Sequence, residues 1–493
     1  MGSAVETKAL SGSDEALLEK MGYKQELSRR MGAFSNFAIS FAIICVLAGG
    51  ITAFPQALGA GGGFSVGIGW IVGAVFALLV AAGMAQIASS FPTAGGLYHW
   101  SSILGGKGWG WATAWFNFLG LIFVVASVNF GVWDPFFKTL IAPLLGINAD
   151  KLGWGHQTAF IAGITALQAI LNHRFPRLTT KLTDLSGYLI LAIVVVLIGS
   201  LLAFSTTPFD LSRLTTYHNF TGAEGSAWPH TESSVMVFLC GLLLTVYTIT
   251  GFDASAHTSE ETRDAATVVP KGILTAVIWS IIFGFLLIST FVLVMPDIST
   301  GVKQGLGFFD SILHILPAPL RVFLGVGIFF VNFLCALAGL TSTSRMGYAF
   351  ARDGGLPFSK HIKKIHDDHK TPVIAIWVAA VLVVAATMYG GAFVILSTAC
   401  AVMLYVSYVM PIAAGLFAEG RTWKKKGPFN LKRWSKPIAV LAVFGGLILA
   451  VVGSLPPNEK VFYMIVVLVA GLGAIWWGGL RKRFQGPPKM DLK

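Results

Sequence analysis

Residues 243–271 read LLTVYTITGFDASAHTSEETRDAATVVPK, and the segment changes character midway. It begins as a lipid-soluble helix and ends as a charged, water-loving stretch. At the transition Thr248, Thr250 and Gly251 precede an acid, Asp253, with His257 one turn further on. A carboxylate near the middle of a bilayer costs roughly 2.5–3.5 kcal/mol on insertion scales. A membrane helix that breaks its apolar pattern at such a point needs a reason.

That this is a membrane helix follows from the rest of the chain. The 493 residues are 55% hydrophobic and only 12% charged, and the mean hydropathy is +0.73. A soluble domain of this length does not hide that much apolar surface. Twelve apolar runs are long enough to cross a hydrocarbon core of ~30 Å. They lie near 34–57, 67–90, 110–134, 156–172, 185–205, 233–257, 272–295, 321–348, 372–388, 391–417, 437–455 and 461–480. The gaps between them leave no room for a globular domain outside the membrane. The expected class is an all-α integral membrane protein with twelve transmembrane helices.

The net charge of +12 belongs to topology. With both termini cytoplasmic, 29 of the 35 Lys and Arg fall on the cytoplasmic side, leaving Lys138, Lys151, Arg213, Lys303, Arg321 and Lys460 outside. This is the positive-inside distribution of a multi-pass membrane protein, and the plasma membrane is its expected location. Nucleic-acid binding would need basic residues interleaved with aromatics on a soluble surface, and the chain offers none. Cys45, Cys240, Cys335 and Cys400 each fall inside an apolar run, where they read as small apolar fillers and not as a disulfide or metal framework. Residues 14–31, DEALLEKMGYKQELSRRM, read as a short amphipathic helix against the membrane or as a partly ordered tail.

A second interruption matches the first. The run FAISFAIICVLAGGITAFPQAL carries Ala48, Gly49 and Gly50 at its centre, followed by Ile51 and Thr52 and ended by Pro55. A glycine pair alone more often serves close helix packing. Breaks at corresponding places in the first and sixth runs point instead to a transporter binding site between two inverted five-helix repeats. Where a helix unwinds, its N–H and C=O groups lose their internal partners. N–H groups of a half-helix starting near Gly50 suit a carboxylate, and carbonyls around Tyr247–Thr250 suit an ammonium. The expected substrate site is Ala48, Gly49, Gly50, Ile51, Tyr247, Thr248, Thr250, Gly251 and Asp253.

Four stretches carry a family resemblance: MGYKQELSRRMGAFSNFAISFAI (21–43), GWIVGAVFALLVAAGMAQIASSFPTAGGLYHW (69–100), TGFDASAHTSEETRDAATVVPKGI (250–273) and ALAGLTSTSRMGYAFARDGGLPFSK (336–360). Over about residues 17–480 the chain resembles the amino acid–polyamine–organocation superfamily of permeases, in its amino acid/choline transporter branch. The resemblance implies a core of ten helices in two inverted repeats, two further C-terminal helices, and alternating access around a central site. The division would be an N-terminal cytoplasmic segment (1–30), a first repeat (31–205), an outer loop (206–232), a second repeat (233–417), two last spans behind a basic loop (418–480) and a cytoplasmic tail (481–493). The family's small-small-Gly motif falls on Ala48, Gly49 and Gly50, its aromatic gate on Tyr247, and its acidic residue on Asp253. Ala48 stands where a Gly is common, which leaves less room for a bulky α-substituent. Some bacterial members carry a Lys within the fifth helix; here Ile190 stands about there, which argues against a lysine-based proton mechanism.

Other groups read two ways. Pro92–Gly96 is a scaffold turn or a loop that moves in gating. His257, Glu260, Glu261 and Arg263 form a solvated helix end or an inner gate tied to Arg174, Arg177 and Lys181. The hydroxyl run Thr341, Ser342, Thr343, Ser344 bonds back to its own helix or ligates sodium with carbonyls of the first run. Arg345, Arg352 and Asp353 read as anchors, and Trp476 and Trp477 as an interfacial belt. Protons are the expected coupling ion, through Asp253, His257 or Glu260; sodium, through Ser342 and Thr343, is the alternative.

No metal-ligand spacing, nucleophile elbow or phosphate loop stands in a credible site, so no enzyme, cofactor or metal is expected. Nothing suggests a channel filter. A polyamine would need several mid-membrane carboxylates, and only Asp253 qualifies. Choline would need an aromatic cage, for which Trp115, Phe116, Tyr247, Phe252 and Tyr405 are available. A zwitterion uses both breaks with the fewest assumptions. The reading is a secondary active permease importing a small zwitterionic amino acid, with γ-aminobutyrate-like substrates implied by the resemblance. The alternatives are a choline or polyamine permease, or an exchanger. Its partners would be that substrate and the bilayer, with the chain a monomer or weak homodimer.

Overall fold

A computed structural model describes residues 14–390, 393–456 and 458–488. Residues 1–13 of the expected N-terminal segment, 489–493 of the tail, 391–392 at the start of the tenth run, and 457 lie outside the described residues. The protein is an all-helical, multi-span membrane protein. Among the described residues nine helices are long and apolar enough to cross a bilayer: Ala33–Thr52, Gly63–Ser90, Lys107–Leu144, Pro176–Phe204, Ala265–Val294, Ala318–Arg352, Phe393–Ala418, Lys432–Val452 and Glu459–Arg483. Ser234–Thr248 and Val373–Met388 are apolar but shorter.

Three of the twelve runs therefore fall on shorter or more polar helices, each for a physical reason. The run at 233–257 is cut short because its helix ends at Thr248. The run at 372–388 is apolar along its whole length but begins only after Pro372, at Val373. The run at 156–172 forms the Trp154–Arg174 helix, which spends polar side chains on its neighbours. There Asn129 donates to Thr165 (3.0 Å) and Gln168 (3.1 Å), Gln168 donates back to Asn129 (3.0 Å), and Thr341 donates to Asn172 (2.6 Å). In lipid each of these groups would cost several kcal/mol if left unpaired (~1–3 kcal/mol in proteins generally). Together they tie the helix to Lys107–Gly131 and Ala318–Arg352.

The bundle closes around the first and sixth runs. Phe393–Ala418 packs along Lys107–Gly131, while Ala265–Val294 packs against both Gly63–Ser90 and Ala33–Ile44. The N-terminal segment departs from expectation. Among its described residues only 14–20 are helical; the chain then turns and crosses the end of the bundle. Leu18, Met21, Tyr23, Leu27 and Met31 are buried against protein, so the apolar face that suggested membrane contact is spent on the bundle itself. Met31 pairs with Thr262, and the Glu261 carbonyl accepts from the N–H groups of both Arg30 (2.9 Å) and Met31 (2.8 Å).

Candidate functional site

The first break lies one turn earlier than the glycine pair suggests. Ala33–Ile44 stops at Cys45, whose φ of 27° and ψ of 85° are not helical, and a new helix, Val46–Thr52, follows. Gly49 and Gly50 are inside that helix, and the N–H groups of Ala48 and Gly49 both bond the Cys45 carbonyl (2.7 and 3.0 Å). The helix start is therefore at Val46 and Leu47, and the N–H groups of Ala48 and Gly49, at the glycine pair, are already paired. The freed Ile43 carbonyl accepts from the Cys335 thiol at 3.4 Å, so this cysteine does more than fill space. Gly49 serves contact: a Cβ there would stand 2.8 Å from the Cα of Thr248. At Gly50 the nearest atom would be 3.6 Å away. Ala48 and Ile51 are buried beside them.

The second break falls where the sequence placed it. Leu243–Thr248 ends at Ile249, Gly251 takes φ +86°, and Asp253 begins the short helix Ala254–His257. Gly251 is doubly required, because a Cβ would lie 2.2 Å from the side chain of Ile43 and that φ strains any L side chain. The two breaks thus abut, Gly251 on Ile43 and Gly49 on Thr248.

Side chains repair much of the opened backbone. Thr250 donates to the Tyr247 carbonyl (2.8 Å), Tyr405 to that of Ile249 (2.8 Å), and Ser40 to that of Phe252 (2.9 Å). The expectation of free carbonyls across Tyr247–Thr250 is corrected accordingly. Among the described residues' bonds, those of Thr248 and Thr250 accept none. The Gly251 N–H donates to the Tyr408 hydroxyl (3.0 Å), which in turn donates to Asp253 Oδ1 (2.8 Å). Asp253 Oδ2 accepts from Asn117 (2.8 Å) and faces His257 Nε2 (3.1 Å). The carboxylate is fully buried. It ties the broken helix to two others, and that tie is what makes it tolerable there. Tyr247 is buried, donates to Ser127 (2.9 Å) and stands edge-on to Phe393.

Below Asp253 the polar chain continues. His257 Nδ1 lies 3.2 Å from the Ala94 carbonyl, and the Ala94 N–H donates to Glu260 (3.1 Å), so the Pro92–Gly96 turn is part of this network. Glu260 is held by both terminal nitrogens of Arg352 (3.1 Å each), and Glu261 by Arg345 (2.9 Å). The expected partners Arg174, Arg177 and Lys181 are exposed and form no ion pair among the described residues; the arginines read as anchors hold the acids instead. Arg352 also lies 3.9 Å from the centre of the Tyr23 ring. Tyr23 and Tyr98 both donate to Asp353 (2.8 and 2.9 Å), and Tyr348 donates to Glu26. Burial, then the neighbouring Asp353 charge, push the Tyr23 phenol far above its usual range, so it stays a donor.

Two broken helices abutting inside a multi-span bundle, with a buried acid behind them, are the architecture of a solute carrier, and residues 31–475 match the amino acid permease family. The chain belongs to that family. It is a multi-pass membrane transporter with an amino acid as substrate, and not an enzyme. The amino-acid permease BAT1 of Arabidopsis thaliana is 34% identical over 513 aligned residues, covering 96% of each chain. Its homolog in Oryza sativa subsp. japonica is 33% identical, covering 98% of each. The GABA-specific permease of Saccharomyces cerevisiae is 29% identical over 92% of this chain and 80% of its own.

Within the permease the remaining candidates separate. Ser342 and Thr343 are both buried. Thr343 spends its hydroxyl on the Gly339 carbonyl (2.8 Å), whereas the Ser342 hydroxyl has no partner among the described residues. Ser342 lies seven residues from Cys335 and so shares the helix face that meets the first break. Apart from the edge-on contact of Phe252 with Tyr405 (6.3 Å), the aromatic set considered for choline is dispersed. Phe116 clusters with Met403 and Met410, Trp115 packs on Trp111 and Phe350, and Tyr405 is committed to a backbone carbonyl. Sequence reasoning missed Ser40, Asn117, Ser127 and Tyr408. Asn117 and the Tyr405/Tyr408 pair, three apart on one helix face, were polar marks in otherwise apolar runs and could have been found.

Proposed function

We propose that this permease is a secondary active importer of a small zwitterionic amino acid, bound where the two breaks meet. The carrying observation is the contact of Gly251 with Ile43 and Gly49 with Thr248. It brings the Val46–Thr52 helix, with the N–H groups of its first turn, against the Leu243–Thr248 helix, with the carbonyls of its end. The first suit a carboxylate at the positive end of a helix dipole, the second an ammonium. In this proposal twelve helices span the plasma membrane, with the Trp154–Arg174 helix, the pair split at Thr248 and the Val373–Gly390 helix counted as spans beside the nine long ones. Spans one to five and six to ten form inverted repeats, two more follow, and both termini face the cytoplasm. The division at residues 30, 205, 232, 417 and 480 is part of the same proposal.

Tyr247 caps the site, while Asp253 holds the moving half-helix to Asn117 and Tyr408 and acts on the substrate indirectly. Residues 14–31 with Glu260, Arg352 and Asp353 form the inner gate, closed in this conformation. The relation to a GABA-specific permease supports γ-aminobutyrate-like substrates; the dispersed aromatics count against choline, and the single buried acid at the breaks against a polyamine. Protons couple through the Asp253–His257 pair. One observation favours a sodium reading, the Ser342 hydroxyl, without a partner among the described residues and on the helix face that meets the first break.

The test is uptake of γ-aminobutyrate, α-amino acids and choline into proteoliposomes under an imposed pH gradient, with and without a sodium gradient. Accumulation of choline alone would overturn the substrate assignment. Accumulation driven by sodium at equal pH would overturn the proton assignment, and uptake only against internal substrate would make the permease an exchanger.

A further inference from the structure

Away from the breaks, a cavity of about 780 Å³ opens between the helices Lys107–Gly131, Phe393–Ala418, Ser435–Val452 and Glu459–Ile475. Its walls are apolar, among them Trp109, Phe116, Met410, Leu447, Gly473 and Trp476. Two of the indole donors along it are already spent, Trp109 Nε1 on the Met410 carbonyl at 2.9 Å and Trp111 Nε1 on that of Gly355 at 3.1 Å. Such walls offer nothing to the two charges of an amino acid, so this is not a second substrate site. From Trp109 to Phe116 the groove follows one helix for about 10 Å, and from Trp477 to Val469 another for about 12 Å. Trp109 and Trp477 are exposed at 43% and 75%, as expected for side chains at a membrane–water boundary. The groove thus runs from an interface to near the middle of a bilayer whose core is ~30 Å thick.

The mouth is basic. Beyond Trp477 the chain bends at Gly479 (φ 134°) into Arg481, Lys482 and Arg483, all exposed and without an ion-pair partner among the described residues. Lys107 fixes this triplet in place, its ammonium donating to the carbonyls of Arg481 (3.0 Å) and Phe484 (2.7 Å). Trp476, stacked on Trp111 at 5.5 Å, fixes the last helix beneath it. Apolar walls of one-leaflet depth under a fixed cluster of cations complement an amphiphile with an anionic head. A second copy of the chain fits less well: a two-fold axis along the membrane normal would bring both triplets to the same end, like charge against like.

We propose that the groove is a binding site for one anionic phospholipid of the leaflet on the N-terminal segment's side. An acyl chain lies along Phe116, Met410 and Leu447, and the phosphate is held at Arg481, Lys482 and Arg483. The experiment is native mass spectrometry of the full permease in micelles with equimolar phosphatidylglycerol and phosphatidylcholine. Wild type should retain one phosphatidylglycerol per monomer, at least tenfold over phosphatidylcholine. Replacing the triplet by Gln (R481Q, K482Q, R483Q) removes only exposed charge and should abolish that preference while a neutral lipid still binds. Ala413→Trp, which fills the groove, should lose both lipids. Equal retention of the two lipids by wild type, an undiminished preference in the triplet variant, or a lipid-free dimer whose formation Ala413→Trp blocks would each overturn the proposal.

Discussion

Tyr408→Phe isolates one hydroxyl that serves both the broken backbone and the buried acid. In the wild type it accepts from the Gly251 N–H at 3.0 Å and donates to Asp253 at 2.8 Å, with all three residues buried. Removing it leaves a buried N–H without a partner, about 1–3 kcal/mol, and deletes a hydrogen bond to a charged group, about 1.5–3 kcal/mol. Neither group reaches water, and the neighbouring hydroxyl of Tyr405 is held by the Ile249 carbonyl. The closed segment should lose about 3–5 kcal/mol relative to its locally opened form, and each 1.4 kcal/mol is a factor of ten. The readout is alkylation of Cys400, a fully buried thiol close to Thr250, in a background of Cys45→Ser, Cys240→Ala and Cys335→Ser. Where reaction waits for local opening, its rate reports the opening equilibrium. It should rise at least about a hundredfold. A rate within threefold of the parent would show that the hydroxyl contributes nothing to holding the segment, and the reasoning about repaired backbone would fail.

Four further outcomes are expected. Gly251→Ala should lower the thermal midpoint in detergent, with about 1–2 kcal/mol from the left-handed φ alone and more from the overlap with Ile43, whereas Gly50→Ala, with room for its methyl, should not; equal effects would refute the assigned contacts. Glu260→Gln leaves Arg352 without its partner at a cost of about 3–5 kcal/mol, so limited proteolysis should cut residues 14–31 faster, and an unchanged rate would remove those residues from the gate. Asp253→Asn should reduce uptake far more than folded yield and flatten its pH dependence; full uptake at every pH would exclude any coupling role. Ser342→Ala should leave proton-driven uptake intact, while loss of a sodium-driven component in this variant would favour the sodium reading.

The second break was legible because its signals are local. Gly251 and Asp253 interrupt an apolar run, and an interruption can be seen without knowing what lies across from it. The first break was less visible. Its glycine pair marks where Gly49 meets Thr248, a packing demand, while the backbone itself breaks at Cys45 through a conformation that no residue type there announces. The acids at 260 and 261 were read as a solvated helix end or an inner gate, and their partners were sought near residues 174–181 and not on the Ala318–Arg352 helix.

The sequence by itself determined the membrane class, the helical content and the neighbourhoods of both interruptions. Crossing a hydrocarbon core depends on the length and apolarity of one continuous run, and polar groups inside such a run stand out against it. Only the tertiary structure decided which groups answer the broken backbone and the buried acid. Asp253 is met by Asn117 and Tyr408, 136 and 155 positions away, and Glu260 by Arg352, 92 away. Residues 14–31 likewise spend their apolar face on the bundle. Such partners are set by how helices cross. A hydrogen bond needs about 3 Å and a definite direction, which no periodicity along a single chain specifies.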